Sequence, residues 1–299
     1  MTGRDRRRGV VLVMVLWSIA LLSALAMAAS VSFRAFAGIA AIGRDRVQGE
    51  ALFTAGLEMA AAMVRSLDGQ PLTDTETTVN LSTGAVRARL NDEGGRIDIG
   101  KAPTEVLAAL LRAVGAPDLA AEDAARRIVQ WRNRDNKGPP GTPAQPGPPT
   151  PPGNLAIKDQ NLGQPFDDVL EIAQIPGVAS QWVAAMAPLT TVFGAATVNP
   201  LTAPADVIAA LPGVERVQLA AFLAMRRASP NNAEGIGAAL GPAQRFLAEK
   251  REQVVGVELA AMLPDGYAAA ARAVMVLMPQ DSQPYRILVW KPLPPSTLR

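Results

Sequence analysis

The feature that most constrains this chain is an uninterrupted apolar run near its N-terminus. Residues 10–31, VVLVMVLWSIALLSALAMAASV, contain no charged residue and no proline over 22 positions. Because an α-helix rises about 1.5 Å per residue, a run of this length covers the roughly 30 Å hydrocarbon core of a bilayer. It is also longer than the apolar core of a conventional secretory signal. We therefore predict a transmembrane helix over residues 10–31.

The charges on either side of the run predict its orientation. Arg4, Arg6, Arg7 and Arg8 precede it, and Arg34 is the first charge after it. Cytoplasmic flanks of membrane helices are rich in arginine and lysine, so the N-terminus is expected in the cytoplasm and the body on the other side.

The helical pattern does not stop at the end of the apolar run. Residues 32–67 contain no proline, and apolar side chains recur there at spacings of three and four, as in Val47, Ala51, Ala55, Met59 and Ala62. Such spacing is typical of an amphipathic helix. The sequence therefore predicts one long helix that is apolar all round in its first half and amphipathic in its second.

The segment before the apolar run, residues 1–9, is short and basic and ends in Gly9, and the run itself is not followed by a small-residue signal-peptidase site. This arrangement resembles the N-terminus of type IV pilins and of the pseudopilins of type II secretion. In that family a prepilin peptidase cuts after the glycine and methylates the new amine, which implies cleavage between Gly9 and Val10. The family's usual glutamate at mature position five is replaced here by Met14, a departure typical of K-type minor pseudopilins. An uncleaved single-pass anchor is the alternative.

Composition argues against an enzyme and against a nucleic-acid binder. The chain has no cysteine and no histidine, which removes thiol chemistry and the commonest general base and metal ligand. Its formal net charge is +2, but the leader contributes four arginines and Asp5, so the body without it carries −1. Nucleic-acid affinity depends largely on neutralising phosphates, so this body is a poor candidate for that partner.

Alternating residues predict an antiparallel sheet that is split along the chain. Two short strands over residues 77–81 and 85–90 form a hairpin, and three β-leaning runs follow near the C-terminus over residues 254–262, 267–278 and 285–291, the last ended by Pro292, Pro294 and Pro295. An amphipathic helix laid on such a sheet is the usual pilin plan. We therefore predict an α+β fold: a long N-terminal transmembrane and amphipathic helix packed on an antiparallel pilin-type sheet, interrupted by a large inserted α-helical domain.

The region between the two groups of strands contains an internal repeat. Ala102-Pro103 and a following helix pattern return 101 positions later at Ala203-Pro204, with Glu105 aligned on Asp206. Proline suits the start of a helix, and an acidic residue in the first turn favours its positive end. The repeat predicts two copies of an extended segment followed by a helix.

Further short helices are expected over residues 166–174, 217–227 and 243–253. Two of the predicted helices are followed by Pro-Gly pairs, Pro176-Gly177 and Pro212-Gly213, a pattern typical of helix-hairpin-helix units. In DNA-binding members of that class the hairpin amides contact phosphate, with nearby basic residues adding charge. The residues that follow these pairs are neutral in one case and of mixed charge in the other, so packing of helices is the favoured interpretation.

Several motifs in this region are similar, in order, to those of the K-type minor pseudopilins of type II secretion. They are a glycine turn at residues 94–103, Gln130-Trp131-Arg132, a phenylalanine-led helix at residues 166–177, and a second segment at residues 199–204. The resemblance implies the following divisions: leader 1–9, transmembrane segment 10–31, amphipathic helix and first strands 32–93, inserted α-helical domain 94–245 with a proline-rich loop at 138–153, and C-terminal strands 246–299.

Some relatives bind calcium in this domain through carboxylates and carbonyls, which are the ligands that calcium prefers. The weak candidates here are Asp135, Asp159, Asp167 and Asp168, with Asn136 and Glu171 nearby. No dense Asp/Asn loop is present, so calcium and simple solvated carboxylates both remain open. Trp131 lies at helical spacing from Ala124 and Ile128, and we expect it and Trp182 to be core residues rather than a binding platform.

The resemblance implies a minor pseudopilin of the type II (general) secretion pathway that assembles at the tip of a periplasmic pseudopilus and has no catalytic site of its own. Its partners would be the minor pseudopilins of the I and J types, the major pseudopilin, the prepilin peptidase and the assembly platform of the bacterial inner membrane, in which it would be a single-pass protein. Two alternatives remain: a minor subunit of a type IV pilus or competence system, and a membrane-anchored helix-hairpin-helix receptor for DNA.

Overall fold

The fold is described by a computed structural model, which covers residues 4–67, 70–73, 75–135, 165–249, 254–278, 281 and 283–294. The predicted proline-rich loop at residues 138–153 lies outside the described residues. The chain divides into two units at the boundary between Glu50 and Ala51.

The α-helices are α1 Arg4–Ser66, α2 Thr104–Ala113, α3 Asp118–Asp135, α4 Ser180–Met186, α5 Ala205–Ala209, α6 Arg216–Ala228 and α7 Ala233–Ala238. The strands are β1 Thr75–Leu81, β2 Gly84–Asp92, β3 Ile97–Asp98, β4 Thr190–Thr191, β5 Val254–Met262, β6 Ala268–Leu277 and β7 Tyr285–Leu293. Four 3₁₀-helices complete the set: Glu93–Gly95, Val169–Gln174, Ala187–Leu189 and Gly241–Phe246.

The first unit contains the N-terminal part of α1. The described side chains from Met14 to Met27 are exposed, including Trp17 at 75%. Among the residues that the structure describes, no helix has both the length and the hydropathy needed to cross a bilayer. Part of the predicted segment, namely residues 10–13, 29 and 31, has side chains outside the described set.

The second unit contains a five-stranded antiparallel sheet in the order β1-β2-β5-β6-β7. The part of α1 that belongs to this unit contributes Leu52, Leu57, Ala60, Ala61 and Val64 to the same buried cluster as the inner-facing residues of β2, β5 and β6. Apolar burial of this kind is the main stabilising contribution to a fold. The predicted hairpin, the three C-terminal strands and the α+β class are therefore confirmed.

One helix residue of this layer shows how closely helix and sheet approach. A Cβ atom at Gly56 would lie 2.8 Å from the side chain of Leu259 and 3.1 Å from that of Val86. Glycine at this position therefore lets α1 lie against the centre of the sheet.

The last strand ends at Leu293, directly before the second of the three prolines predicted to end it, and not at the first, Pro292. Strand β7 continues through Pro292 to Leu293 and pairs with β6 there, with Pro292 opposite Ala271. Proline lacks an N–H, but β7 is the edge of the sheet and its outer side has no neighbouring strand to which an N–H would donate.

Two short helices also differ from prediction. The segment predicted as a helix over residues 166–174 is a 3₁₀-helix that begins only at Val169, because the side chain of Asp168 accepts from the Leu170 N–H and so starts the turn there. The segment predicted over residues 243–253 is a 3₁₀-helix, Gly241–Phe246, and residues 250–253 lie outside the described part of the chain.

Between β2 and β5 in sequence, helices α2 to α7 surround a second buried cluster of their own. Its largest fully buried side chains include Phe166, Phe222, Leu107 and Leu110. A short parallel pair, β3 with β4, lies within this region. Trp131 and Trp182 are partly buried against this cluster, which confirms the expectation that they are core residues.

Three tight turns separate pairs of helical segments in this cluster. Gly115, Gly177 and Gly213 each adopt positive φ, at 93°, 87° and 74°. This region of backbone space strongly favours glycine. The sequence indicated the second and third of these turns through their Pro-Gly pairs, but the first has no proline directly before its glycine.

Candidate functional site

The residues that connect the sheet to the helical cluster begin where β2 ends. The backbone there forms a single 3₁₀ turn, Glu93–Gly95, and the Asp92 side chain caps it by accepting from the Gly94 N–H at 2.8 Å. Aspartate is a favoured capping residue because its carboxylate satisfies an amide that the turn leaves without a partner.

The same carboxylate contacts a segment more than a hundred residues further along the chain. Its Oδ2 accepts from Asn199 Nδ2 at 3.1 Å and from Thr202 Oγ1 at 2.6 Å, and the Asn199 N–H donates to the Gly94 carbonyl at 2.8 Å. We call this set of Asp92, Gly94, Asn199 and Thr202 the Asp92 latch. It brings together two of the motifs singled out in the sequence, the glycine turn and the second Asn-x-x-Thr segment.

Close packing and desolvation accompany these hydrogen bonds. A Cβ atom at Gly95 would lie 3.0 Å from the Thr202 backbone, so glycine is needed for the two segments to approach. Burial raises the pKa of Asp92 above its ordinary value, while the hydrogen bonds from Thr202, Gly94 and Asn199 oppose that shift.

A second carboxylate next to the latch is almost completely buried. Glu93 is 1% exposed, and its Oε1 accepts from Asn91 Nδ2 at 3.2 Å and from Arg272 Nη2 at 3.1 Å, with Arg96 Nη1 at 3.5 Å. Arg272 lies on β6, so this contact also connects the turn to the sheet. Gly256 on β5 leaves room for it, because a Cβ atom there would lie within 2.4 Å of Glu93 Oε1.

The internal repeat is confirmed by matching hydrogen bonds. Asp98 Oδ1 accepts from the Gly100 N–H at 2.7 Å, and Asn199 Oδ1 accepts from the Leu201 N–H at 3.1 Å. In each copy the N–H four residues after the Asp or Asn, that of Ala102 or Ala203, donates to its backbone carbonyl. The aligned residues Asp98 and Asn199 therefore form the same turn before α2 and α5.

The two copies are also held by equivalent arginines. Arg132 on α3 donates to the Ala102 carbonyl at 2.9 Å, and Arg226 on α6 donates to the Ala203 carbonyl at 2.5 Å. Partial burial lowers the pKa of both guanidinium groups below the ordinary value. This explains Arg132 in the tryptophan motif, whereas the equivalence of Arg226 was not visible in the sequence because its neighbours do not repeat that motif.

The repeat differs at one charged position. Asp98 is 1% exposed, and its Oδ2 lies 3.4 Å from Lys101 Nζ but has no hydrogen-bond partner among the described atoms. Lys101 Nζ in turn donates to the Gly194 carbonyl at 2.9 Å. Burial raises the pKa of Asp98, and the Lys101 ammonium opposes that shift. The Lys101 ammonium group therefore supplies the positive charge next to the buried Asp98 carboxylate.

A groove of about 610 Å³ opens beside the Asp92 latch. Segments 71–73 and 201–204, strands β2 and β5 and the C-terminal end of α6 contribute to it. Four arginines and two carboxylates line it: Arg89, Arg96, Arg226, Arg227, Asp92 and Glu258.

Comparison with known proteins identifies a family to which part of this chain is similar. Residues 80–195, which include β2, the capped turn and Arg132, match the model of type II secretion system (T2SS), protein K. In agreement, the fold of this chain is similar to that of a chain in the crystal structure of the GspK-GspI-GspJ complex from enterotoxigenic Escherichia coli type 2 secretion system, with a TM-score of 0.58 and 14% identity over 84% of this chain and 98% of that chain. No curated protein sequence matches.

The processing residues expected for the protein K family lie in α1. Gly9 and Val10 are helical in backbone, and the side chain of Val10 lies outside the described set. Met14, at the position of the family's usual glutamate, is 69% exposed. Cleavage and methylation at Gly9 and Val10 remain predictions.

The weak calcium candidates are not brought together in the described residues. The side chain of Asp135 and all of Asp159 lie outside them. Asp168 caps the 3₁₀-helix and forms an ion pair with Lys291 of β7, and the Asp167 N–H donates to Glu171 Oε2 at 3.2 Å. Within the described ranges no group of three acidic, histidine or cysteine side chains is placed to hold a metal. A calcium site in this chain stays a prediction.

One of the two predicted helix-hairpin-helix turns has an acidic residue where phosphate would bind. After Pro212-Gly213, Glu215 forms a capping box with Gln218 at the start of α6, so its carboxylate already accepts from an N-terminal amide of that helix. A carboxylate at this position repels phosphate, which favours the packing interpretation over the DNA receptor at this turn.

Proposed function

We propose that this chain works as a minor pseudopilin of type II secretion, assembled at the tip of a periplasmic pseudopilus and supporting export of proteins across the outer membrane. The match of residues 80–195 to the protein K family is the observation that carries this conclusion. The similarity of the fold to a chain of a minor pseudopilin complex supports it.

The N-terminal sequence supplies the membrane step of the proposal. Residues 10–31 would anchor the precursor in the inner membrane with its N-terminus in the cytoplasm, and cleavage after Gly9 with methylation of Val10 would release it for assembly. In the fibre the same apolar surface would be removed from water by neighbouring helices. Met14 has no carboxylate to pair with a subunit above it, which fits a terminal position.

The body would supply the contacts with partners. The similar structure is a complex of GspK with GspI and GspJ, so we propose minor pseudopilins of the I and J types as the direct partners of this chain. The helical cluster between β2 and β5 would be an α-helical domain inserted into the pilin sheet. The major pseudopilin, the prepilin peptidase and the inner-membrane assembly platform would be the remaining partners.

N-terminal sequencing of the protein from cells with and without prepilin peptidase tests the processing step. We expect a mature chain that begins at Val10 only when the peptidase is present, and loss of this form in Gly9→Leu. Gly3→Leu changes a glycine of the same leader and should leave cleavage intact. A working protein that retains Met1 in peptidase-positive cells would refute this part of the proposal.

Co-purification tests the assembly step separately. The full-length chain should isolate with the I-type and J-type minor pseudopilins in a 1:1:1 complex after detergent extraction. Isolation instead with subunits of a type IV pilus would support the competing pilin assignment. Salt-dependent binding of DNA with no pseudopilin partner would support the receptor.

A further inference from the structure

The groove beside the Asp92 latch has the features of a binding site. Neither the structural role of the latch nor the proposed function uses this groove. Its volume of about 610 Å³ is within the usual range for ligand pockets. Its walls are apolar and include prolines, which change shape little on binding: Pro71, Leu72, Leu201, Pro204 and Pro230.

The charges inside the groove favour an anionic ligand. Among the described residues that line it, four arginines oppose two carboxylates. One of these carboxylates, Asp92, already accepts from Gly94, Asn199 and Thr202, so it offers little to a ligand. Arg96 pairs with the buried Glu93 and Arg226 with backbone carbonyls, so the positive charge that the groove offers to an incoming group is that of Arg227.

Two neighbouring arginines at the end of α6 are placed differently. Arg226 is half-buried, donates to the Ala203 and Pro200 carbonyls and lies with its guanidinium carbon 5.4 Å from the ring centre of Phe222. These contacts fix it in place. Arg227 is exposed at the groove and, within the described part of the chain, makes no hydrogen bond or ion pair.

We propose that this groove binds an acidic peptide segment of another protein, with Arg227 as the main carboxylate contact and the proline and leucine walls as the contact for intervening apolar side chains. A guanidinium group matches a carboxylate with two parallel hydrogen bonds. This inference does not depend on the proposed function, because it rests only on the lining of the groove.

A nucleic acid fits the groove less well. Polynucleotide binding requires many phosphate contacts along an extended basic surface, whereas this basic lining is local and contains Glu258. The apolar walls also suit peptide side chains better than a chain of phosphates. An oligonucleotide is therefore included below as the competing outcome.

The test uses the full-length chain in detergent micelles and fluorescence anisotropy. The probe is a fluorescein-labelled octapeptide of alternating aspartate and leucine, compared with an asparagine and leucine octapeptide and with a labelled single-stranded octanucleotide. We expect saturable binding of the aspartate peptide that weakens as salt is raised, and weak binding of the other two. Arg227→Gln should weaken the affinity for the aspartate peptide by about fivefold. This corresponds to about 1 kcal/mol, the upper end of the range for one exposed ion pair.

The matched control is Arg216→Gln, which removes one positive charge from the other end of the same helix. Arg216 is exposed and does not line the groove. It should leave peptide affinity unchanged, so that general loss of charge is separated from loss of the site. Equal binding of the aspartate and asparagine peptides, equal weakening by both variants, absence of saturable binding, or tighter binding of the octanucleotide would each overturn the proposal.

Discussion

Removing the carboxylate of the Asp92 latch should destabilise the connection between the sheet and the helical cluster. In Asp92→Ala the Gly94 amide, the Asn199 amide group and the Thr202 hydroxyl each lose an acceptor. Two of these three donors, Asn199 and Thr202, belong to the helical cluster, whereas Asp92 is the last residue of strand β2. We therefore expect a loss of global stability and a larger local loss at this junction.

The size of the effect follows from the three contacts. A hydrogen bond contributes about 0.5–1.5 kcal/mol net, and more when one partner is charged. Burial of Asp92 raises its pKa although these three bonds oppose the shift, so the charged carboxylate itself adds little and the loss in Asp92→Ala comes mainly from the donors left without an acceptor. We expect Asp92→Ala to lower the free energy of unfolding by about 2–3 kcal/mol, and Asp92→Asn, which keeps one acceptor oxygen, by about 1 kcal/mol.

Urea unfolding of the full-length chain in detergent, followed by circular dichroism, measures this loss. Hydrogen exchange read by mass spectrometry locates it: exchange should increase first at residues 93–96 and 198–203. Asp265→Ala is the control, because Asp265 also caps a turn, by accepting from the Tyr267 N–H, but is exposed and far along the chain from the latch. Its effect should stay below about 1 kcal/mol.

A double-mutant cycle with Thr202→Val decides whether the latch is the cause. If Asp92 and Thr202 act through their 2.6 Å hydrogen bond, the double variant should lose at least about 1 kcal/mol less than the sum of the single variants. Strict additivity, or a loss in Asp92→Ala no larger than in Asp265→Ala, would refute the reasoning.

Three further changes test neighbouring contacts. Gly256→Ala places a Cβ atom within 2.4 Å of Glu93 Oε1 and should cost about 1–3 kcal/mol in urea unfolding, whereas Gly43→Ala, whose added Cβ atom would meet nothing within 4 Å, should cost less. Tyr285→Phe removes the 3.0 Å hydrogen bond that Tyr285 donates to Glu58 and should cost about 1 kcal/mol, measured in the same way; an unchanged midpoint would contradict it. Burial raises the pKa of Asp98 above 3.8, so its neutral carboxyl stabilises the fold at low pH and this contribution is lost as pH rises through the folded-state pKa. The stability of the wild type relative to Asp98→Asn should therefore fall as pH rises above 3.8, and a rise would contradict the sign.

The sheet could be predicted from sequence because its strands obey a local rule. In β2 the inward residues Val86, Ala88 and Leu90 alternate with arginines, and they are fully buried in the structure. Period-two alternation is visible in any short window. The ends of the strands were less accurate, since both members of the first hairpin extend beyond the alternating residues and β7 continues through Pro292.

The latch could not be predicted because its partners are distant in sequence. Asp92 meets Asn199 and Thr202 across 107 and 110 positions, and no local pattern specifies such a contact. The repeat indicated that the two segments share a shape, not that one of them binds the turn after β2. The role of Arg226 could not be predicted either. It is equivalent to Arg132 only because the two arginines donate to the corresponding carbonyls of Ala203 and Ala102.

The motifs shared with the protein K family thus have a structural explanation that needs no catalysis. Glu93 and Asp98 are buried, and Asp92 is partly so, and each pairs with residues that another segment supplies or that a tight turn places. Buried charged groups add little net stability, yet breaking one pair is costly because its partner is left uncompensated. Such contacts therefore select one arrangement of sheet and helical cluster over others of similar hydrophobic burial. For the proposed role as a pseudopilin subunit, a single arrangement of the sheet and the helical cluster is the property that these residues would protect.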